Sequence, residues 1–235
     1  MPIASTAKPA QRLRADVLAL AACVALFTLF PQLDLQVSSW LHDPRTGFRW
    51  ANEPLVLLSY DAFKARHIGW LALALAVWLA AMHVSDGAPV GRRRAVAFLL
   101  ALIVIGPVLA VNAGFKNHWG RARPVRVLQF GGERLYSPPL LPAMECRRNC
   151  SFVSGHAAAA FVLTGLYWVT GRRRWLVAGL ALGSAVGLGR MLQGGHFLSD
   201  VVFAFWTVYL IGALLAWLML GQRAPRAGAQ SAADA

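Results

Sequence analysis

Two histidines, one aspartate and three cations stand at the ends of apolar runs in a chain where charge is scarce. The densest group is Gly189-Arg190-Met191-Leu192-Gln193-Gly194-Gly195-His196-Phe197-Leu198-Ser199-Asp200, flanked by two long apolar stretches. Ionisable groups at the edge of a membrane span are costly to hold and are functional candidates by default. His196 and Asp200 are four apart, so a helix would point them the same way. The carboxylate would then accept from one imidazole nitrogen and leave the other free for chemistry. Arg190 precedes a Gly194-Gly195 turn, which lets it fold back toward His196. The competing reading is an ordinary helix-end ion pair between Arg190 and Asp200.

Two further groups join this one. Lys116 and Arg123 are seven apart, two helical turns, which predicts a shared face; Pro124 predicts that the helix stops at Arg123. Ser154-Gly155-His156 opens an Ala-rich run. Ser is a good N-cap, Gly admits close approach to the backbone, and a helix N-terminus attracts anions; the simpler reading of Ser154 is a cap alone. Three cations and a helix N-terminus around two histidines and a carboxylate suit phosphoryl transfer, where charge on the equatorial oxygens needs stabilising. One histidine can attack phosphorus and the other can protonate the leaving oxygen. A metal site is disfavoured, because two-metal phosphatases need several carboxylates and this set has only Asp200. No cofactor-binding motif is present.

The elements that must position these groups are apolar spans. The chain has 235 residues, 57% hydrophobic and 14% charged, with a formal net charge of +13. That balance excludes disorder and fits an all-α polytopic membrane protein. Nucleic acid is excluded as a partner, because the basic residues form short clusters between apolar runs; anionic headgroups or phosphates fit better. Six spans are expected, at about 13–33, 67–84, 95–113, 156–170, 175–192 and 201–220, each near the length that crosses the hydrocarbon core. The first is basic at its start, like a signal peptide, but no small-x-small site follows and an uncleaved span is expected; Cys23 within it reads as packing. Residues 1–12 and 222–235 are expected to be disordered cytoplasmic tails around a membrane domain over 13–221. Residues 34–66, with Trp40, Trp50 and Tyr60, read as an external loop with an interfacial helix. Gly183 and Gly187 predict close helix packing.

The N-terminus, the two triple-Arg loops (92–94 and 172–174) and Arg223/Arg226 alternate onto one side, which the positive-inside rule makes cytoplasmic. The basic segment 114–151 then lies outside, against that rule, and ligand binding would explain it. This topology places every candidate group at an outer helix end, although the topology was derived without them. Arg147 and Arg148 taken alone read as snorkelling side chains, and His118 and Arg121 fit either role.

The set Lys116-x6-Arg123-Pro124, Ser154-Gly155-His156 and Arg190-x5-His196-x3-Asp200 resembles, in order and spacing, the three-part signature of the type 2 phosphatidic acid phosphatase superfamily. The motifs cover residues 116–200, and three together are specific where one would be weak. The resemblance implies that His196 is the nucleophile, Asp200 orients it, His156 is the general acid, and Lys116, Arg123, Arg190, Ser154 and the Gly155 amide hold the phosphate. Val153 stands where the family usually has Pro, and Gly189 where it usually has Ser. Gly120-Arg121-Ala122-Arg123-Pro124, Gln129-Phe130-Gly131-Gly132 and Asn149-Cys150-Ser151-Phe152 are similar to bacterial lipid A phosphatases. That likeness implies a bacterial inner-membrane enzyme with its site facing the periplasm and a lipid phosphate as substrate. Isoprenyl pyrophosphate, phosphatidylglycerophosphate and transfer to a lipid acceptor are the runners-up. A vanadate-dependent peroxidase, an intramembrane protease using Ser154, and a lipid transporter with a phosphate-binding mouth are the other classes. Leu140-Leu141-Pro142-Ala143-Met144 would line a sideways lipid entry. Arg121, Arg126, Arg134, Arg147 and Arg148 exceed what one monoester needs and predict a multiply charged headgroup. Cys146 and Cys150, four apart, fit either a disulfide bracketing Arg147-Arg148-Asn149, which the spacing favours, or two free thiols.

Overall fold

A computed structural model describes residues 9–84 and 89–222, whose regular elements are helices, with two isolated β-bridges and no strand among them. Ten α-helices run α1 (Pro9–Leu29), α2 (Leu33–Leu41), α3 (Pro54–Ala62), α4 (Ala65–Val84), α5 (Val90–Ile103), α6 (Lys116–His118), α7 (Gly155–Phe161), α8 (Gly165–Thr170), α9 (Arg173–Leu192) and α10 (Leu198–Leu220). Four helical stretches are long and apolar enough to cross a membrane: α4, the continuous run Val90–His118, α9 and α10. A fifth is reached if α1 and α2, bent by 81° around Phe30-Pro31-Gln32, form one broken span. Pro31 lacks an amide donor and disfavours helix at Phe30, which accounts for the break.

The stretch over 155–170 differs from expectation. It is α7 and α8 joined by a 3₁₀ turn at Val162–Thr164, so no single 18-residue helix forms there. The tail expected over 1–12 is helical from Pro9 onward, while 1–8 and 223–235, including Arg223 and Arg226, lie outside the described residues. The segment 34–66 holds two helices, α2 and α3, and α2 buries Asp34 and Ser38 against the rest of the chain.

α10 is apolar along most of its length, buries one side against the bundle and leaves Leu210, Leu214, Trp217 and Leu218 exposed. Its Phe203, Ala204, Val208 and Leu215 pack with Phe98 and Leu102 of α5 and with Ala157, Ala158 and Phe161 of α7. The glycine pair on α9 has the close-packing role its spacing predicts. A Cβ on Gly183 would collide with the Phe161 ring, and one on Gly187 with Val201. Within Val90–His118, Pro107 lies inside a run of wide π-type turns from Val104 to Phe115. The wider turn absorbs the hydrogen bond that proline removes, and the helix continues far enough to deliver Lys116 at its last turn.

Candidate active site

The site forms where helix ends meet on one face of the bundle. Lys116 comes from α6. Ser154 is the N-cap of α7, its hydroxyl accepting from the Ala157 amide, so Gly155 and His156 occupy the first turn. Arg190 lies in the last turn of α9. Gly194 then turns with φ +61, a conformation that favours glycine, and Asp200 lies in the first turn of α10.

The contacts close into a ring. A Cβ on Gly155 would lie 3.1 Å from Lys116 Cε. Lys116 Nζ donates to Asn149 Oδ1 at 3.1 Å, and an Arg123 amino group donates to the same oxygen and to the Asn149 carbonyl, each at 2.9 Å. His156 stacks on Tyr60, centroids 4.7 Å apart and planes at 21°. The Arg190 guanidinium also lies over the Tyr60 ring, its carbon 4.6 Å from the centroid, and Arg190 donates to Gln193 Oε1. A Cβ on Gly195 would lie 2.5 Å from an Arg190 nitrogen, so the guanidinium sits close against the backbone beside His196. His196 Nδ1 is 3.4 Å from Asp200 Oδ2, and the Ser154 amide donates to the Asp200 carbonyl at 3.0 Å.

Four buried polar atoms in this ring find no hydrogen-bond partner among the described residues: both ring nitrogens of His196, His156 Nε2 and Arg190 Nε. Buried polar atoms are normally satisfied, and exceptions mark places where something else binds. Burial pushes the His196 imidazole down to about 3, against the pull of Asp200. It is therefore neutral near pH 7, with Nδ1 toward the carboxylate and Nε2 unengaged. Burial also holds Arg123 below its ordinary value, with Asp200 opposing.

Behind the ring lies a layer of buried charge. Arg121 is 0% exposed. One amino group donates to Asp200 Oδ1 at 2.6 Å and the other to Asp34 Oδ2 at 2.7 Å. Its remaining donors reach Ser199 Oγ at 2.8 Å and the Ser137 carbonyl at 3.0 Å. Burial alone would lower Arg121, but Asp200 and Asp34 outweigh it and hold it above its ordinary value. Asp200 Oδ2 accepts from Ser151 Oγ and, at 2.9 Å, from the Phe197 amide. Asp34 accepts from the Ser199 amide at 2.9 Å and from the Ser199 hydroxyl. Both oxygens of Asp200 are thus committed, and among the described residues no three of His, Cys, Asp and Glu converge to hold a metal.

Four local expectations change. Lys116 and Arg123 do not share a helix face, because the helix ends at His118 and Arg123 is extended with ψ 154; Asn149 unites them instead. His196 precedes α10 rather than lying on it, and meets Asp200 because the carboxylate folds back over the helix start. Asp200 pairs with Arg121, so the Arg190–Asp200 ion pair does not form. Arg121 leaves the set of headgroup cations, being buried and doubly paired. The structure bonds Cys146 to Cys150, with Cα atoms 5.6 Å apart, while Cys23 is free.

Sequence reasoning missed Tyr60, Asn149, Asp34 and Ser151. Asp34 carried one signal, an acid beside an apolar run, and Asn149 lies in a motif already singled out. Tyr60 gave none beyond an aromatic at headgroup depth. Ser59, beside it, explains Gly189: a Cβ there would lie 2.6 Å from Ser59 Oγ, so a hydroxyl from α3 occupies the space a serine at 189 would fill.

Comparison with known proteins agrees with this geometry. Residues 94–225 match the PAP2 superfamily. A lipid A 4'-phosphatase of Francisella tularensis subsp. novicida (strain U112) is 35% identical over 196 residues, 78% of this chain and 85% of that protein. A lipid A 4'-phosphatase of Rhizobium leguminosarum is 37% identical over 153 residues, 63% of this chain and 66% of the relative. Another, of Rhizobium etli (strain ATCC 51251 / DSM 11541 / JCM 21823 / NBRC 15573 / CFN 42), is 34% identical over 158 residues, 65% and 62% of the two chains. No solved structure matches significantly. With more than half of its length inside the family match and all three motifs gathered at one set of helix ends, the chain belongs to the PAP2 superfamily.

Proposed function

We propose that this protein is a lipid phosphatase of the bacterial inner membrane, that it removes a phosphate from a glycolipid of the lipid A type, and that it works through a phosphohistidine at His196. The observation that carries the reading is the unengaged pair, His196 Nε2 and His156 Nε2, buried amid Lys116, Arg123 and Arg190. The named relatives act on lipid A, which supports the substrate class.

The chemistry follows from the donors. The scissile phosphate sits among the three cations and the Gly155 amide, which stabilise charge on its equatorial oxygens. His196 Nε2 attacks phosphorus. The N–P bond forms as the bond from phosphorus to the lipid oxygen breaks, and His156 gives that oxygen its proton. Asp200 holds Nδ1–H and stabilises the charge that develops on the ring. Water then attacks the phosphohistidine, His156 takes its proton, and inorganic phosphate leaves. The nucleophile and the proton donor in this route are both histidines, so no metal enters it.

The bundle is read as six spans with the site at the periplasmic side. The added spans are α1 and the broken stretch 155–170, whose 16 residues would extend about 24 Å as helix. A short broken span suits a site at its start, because α7 would then begin at headgroup depth, where a lipid phosphate can reach it.

The test is a phosphate-release panel with purified protein and EDTA present, using lipid A, phosphatidic acid, phosphatidylglycerophosphate and an isoprenyl pyrophosphate. Lipid A should be the fastest. Fast release from a small lipid phosphate with none from lipid A refutes the substrate. Activity lost to EDTA and restored by one divalent ion refutes the mechanism.

A further inference from the structure

A cavity of about 570 Å³ adjoins the ring, and it is lined by Arg123, Arg126, Arg134, Arg147, Arg148 and Asn149. Arg123 and Asn149 belong to both, so the cavity shares a wall with the reaction centre. Glu145 is the one carboxylate among its lining residues, and one of its oxygens already accepts from the Leu135 amide at 3.0 Å. Arg126, Arg134, Arg147 and Arg148 are exposed, and none forms an ion pair among the described residues. Five guanidinium groups against one engaged carboxylate repel one another, a cost that an anion in their midst removes. Arg126 adds to the forces that lower Arg123.

The wall is built rather than loose. The Cys146–Cys150 bond closes the loop that carries Arg147 and Arg148. The foot of that loop is stitched to the site, with the Cys150 amide donating to the Lys116 carbonyl and the Ser151 amide to the Arg121 carbonyl, both at 2.9 Å. The cations on the loop are thus held at a set place relative to the scissile phosphate.

We infer that this cavity is a second anion subsite, which takes a further phosphate or carboxylate on the same headgroup whose scissile phosphate lies against Arg123 and Lys116. This rests on the proposed phosphatase reading for the first anion, but the second is recognised by charge alone. A headgroup with one phosphate fills only the ring. A headgroup with two acidic groups spans ring and cavity and gains the charge-assisted hydrogen bonds that arginine forms with oxyanions.

The test is calorimetric titration of the full chain in neutral detergent with glucose 6-phosphate, glucose 1,6-bisphosphate and inorganic phosphate. It uses the His196→Ala background, so that nothing turns over, with and without Arg147→Gln/Arg148→Gln. The bisphosphate should bind about tenfold or more tighter than the monophosphate, as one extra charged hydrogen bond implies. The Arg147→Gln/Arg148→Gln change should remove that preference and leave the monophosphate affinity unaltered. No preference in the parent, or a preference that survives the change, overturns the inference. Weaker inorganic phosphate binding in the changed protein would assign the cavity to free phosphate, and overturns the headgroup subsite. The phosphatase reading is judged separately, by phosphate release from lipids with the wild-type protein, so the two can fail independently.

Discussion

Tyr60 lies flat against His156, ring centroids 4.7 Å apart, and the same ring carries the Arg190 guanidinium at 4.6 Å. One aromatic on α3 therefore sets the position of two groups that come from α7 and α9. Lys64 Nζ, 4.9 Å from the ring centroid, is a second cation on this ring. Tyr60→Leu should lower kcat on any lipid phosphate, since cation–π contacts are worth about 0.5–2 kcal/mol and a loss of about 2- to 30-fold follows. Tyr60→Phe keeps the ring and should stay near wild type. Equal rates for Leu and Phe would mean the stacking is idle.

His196→Ala should abolish turnover, because no N–P bond can form. His156→Ala should cost roughly 10²–10⁴-fold, the usual worth of a general acid. In His156→Ala, labelled phosphate should be trapped on the protein by an alkaline denaturing quench, since the N–P bond is acid-labile, and peptide mapping at alkaline pH should place it on His196. Label on any other residue reassigns the nucleophile.

Arg121 neutralises two buried carboxylates, at 2.6 Å and 2.7 Å. Arg121→Met leaves both without a cation and should destabilise the fold by about 3–5 kcal/mol, the usual result of breaking a buried pair from one side. Adding Asp34→Asn removes one orphaned charge and should recover part of the loss. Thermal unfolding in detergent reads both. A wild-type melting temperature for Arg121→Met would show that the buried pairing contributes nothing.

Acid should weaken the fold through His196. Its folded value, about 3, lies below the ordinary 6.5 because burial opposes the charged ring. The unfolded chain then binds a proton that the folded chain refuses. The stability that neutral His196 contributes is whole above pH 6.5 and is lost as pH falls toward 3. Over that window the melting temperature of wild type should fall more steeply than that of His196→Asn. Parallel curves would contradict a buried neutral imidazole.

Thiol labelling of unreduced, denatured protein should modify Cys23 alone, because Cys146 and Cys150 are joined. Prior reduction should expose all three. Three labelled thiols without reduction would break the loop closure on which Arg147 and Arg148 depend.

Local pattern made part of this legible. Apolar runs of membrane length mark α4, α9 and α10, because hydrophobic content is a property of a segment and needs no partner to be seen. Lys116, Arg123, Ser154, His156, Arg190, His196 and Asp200 could be picked out as charged or capping residues at the ends of such runs. Even the Cys146–Cys150 closure spans only four residues. Helix arithmetic failed where the helix ended early, as at Arg123, because spacing says nothing about where backbone hydrogen bonds give out.

What only the tertiary structure decided is which distant residues complete those groups. Arg121 was ambiguous alone; its role comes from Asp34, 87 residues away, and Asp200, 79 away. A buried cation is tolerable only when carboxylates meet it, and the chain reversals that bring them leave no periodic trace. Tyr60 reaches His156 and Arg190 because α3 packs on the end of α9, and Ser59 fills the space beside Gly189 for the same reason. The sequence by itself determined which chemistry was available and that helix ends would present it. Packing decided which side chains hold that chemistry in place, since contact between elements depends on shape and burial that no single segment encodes.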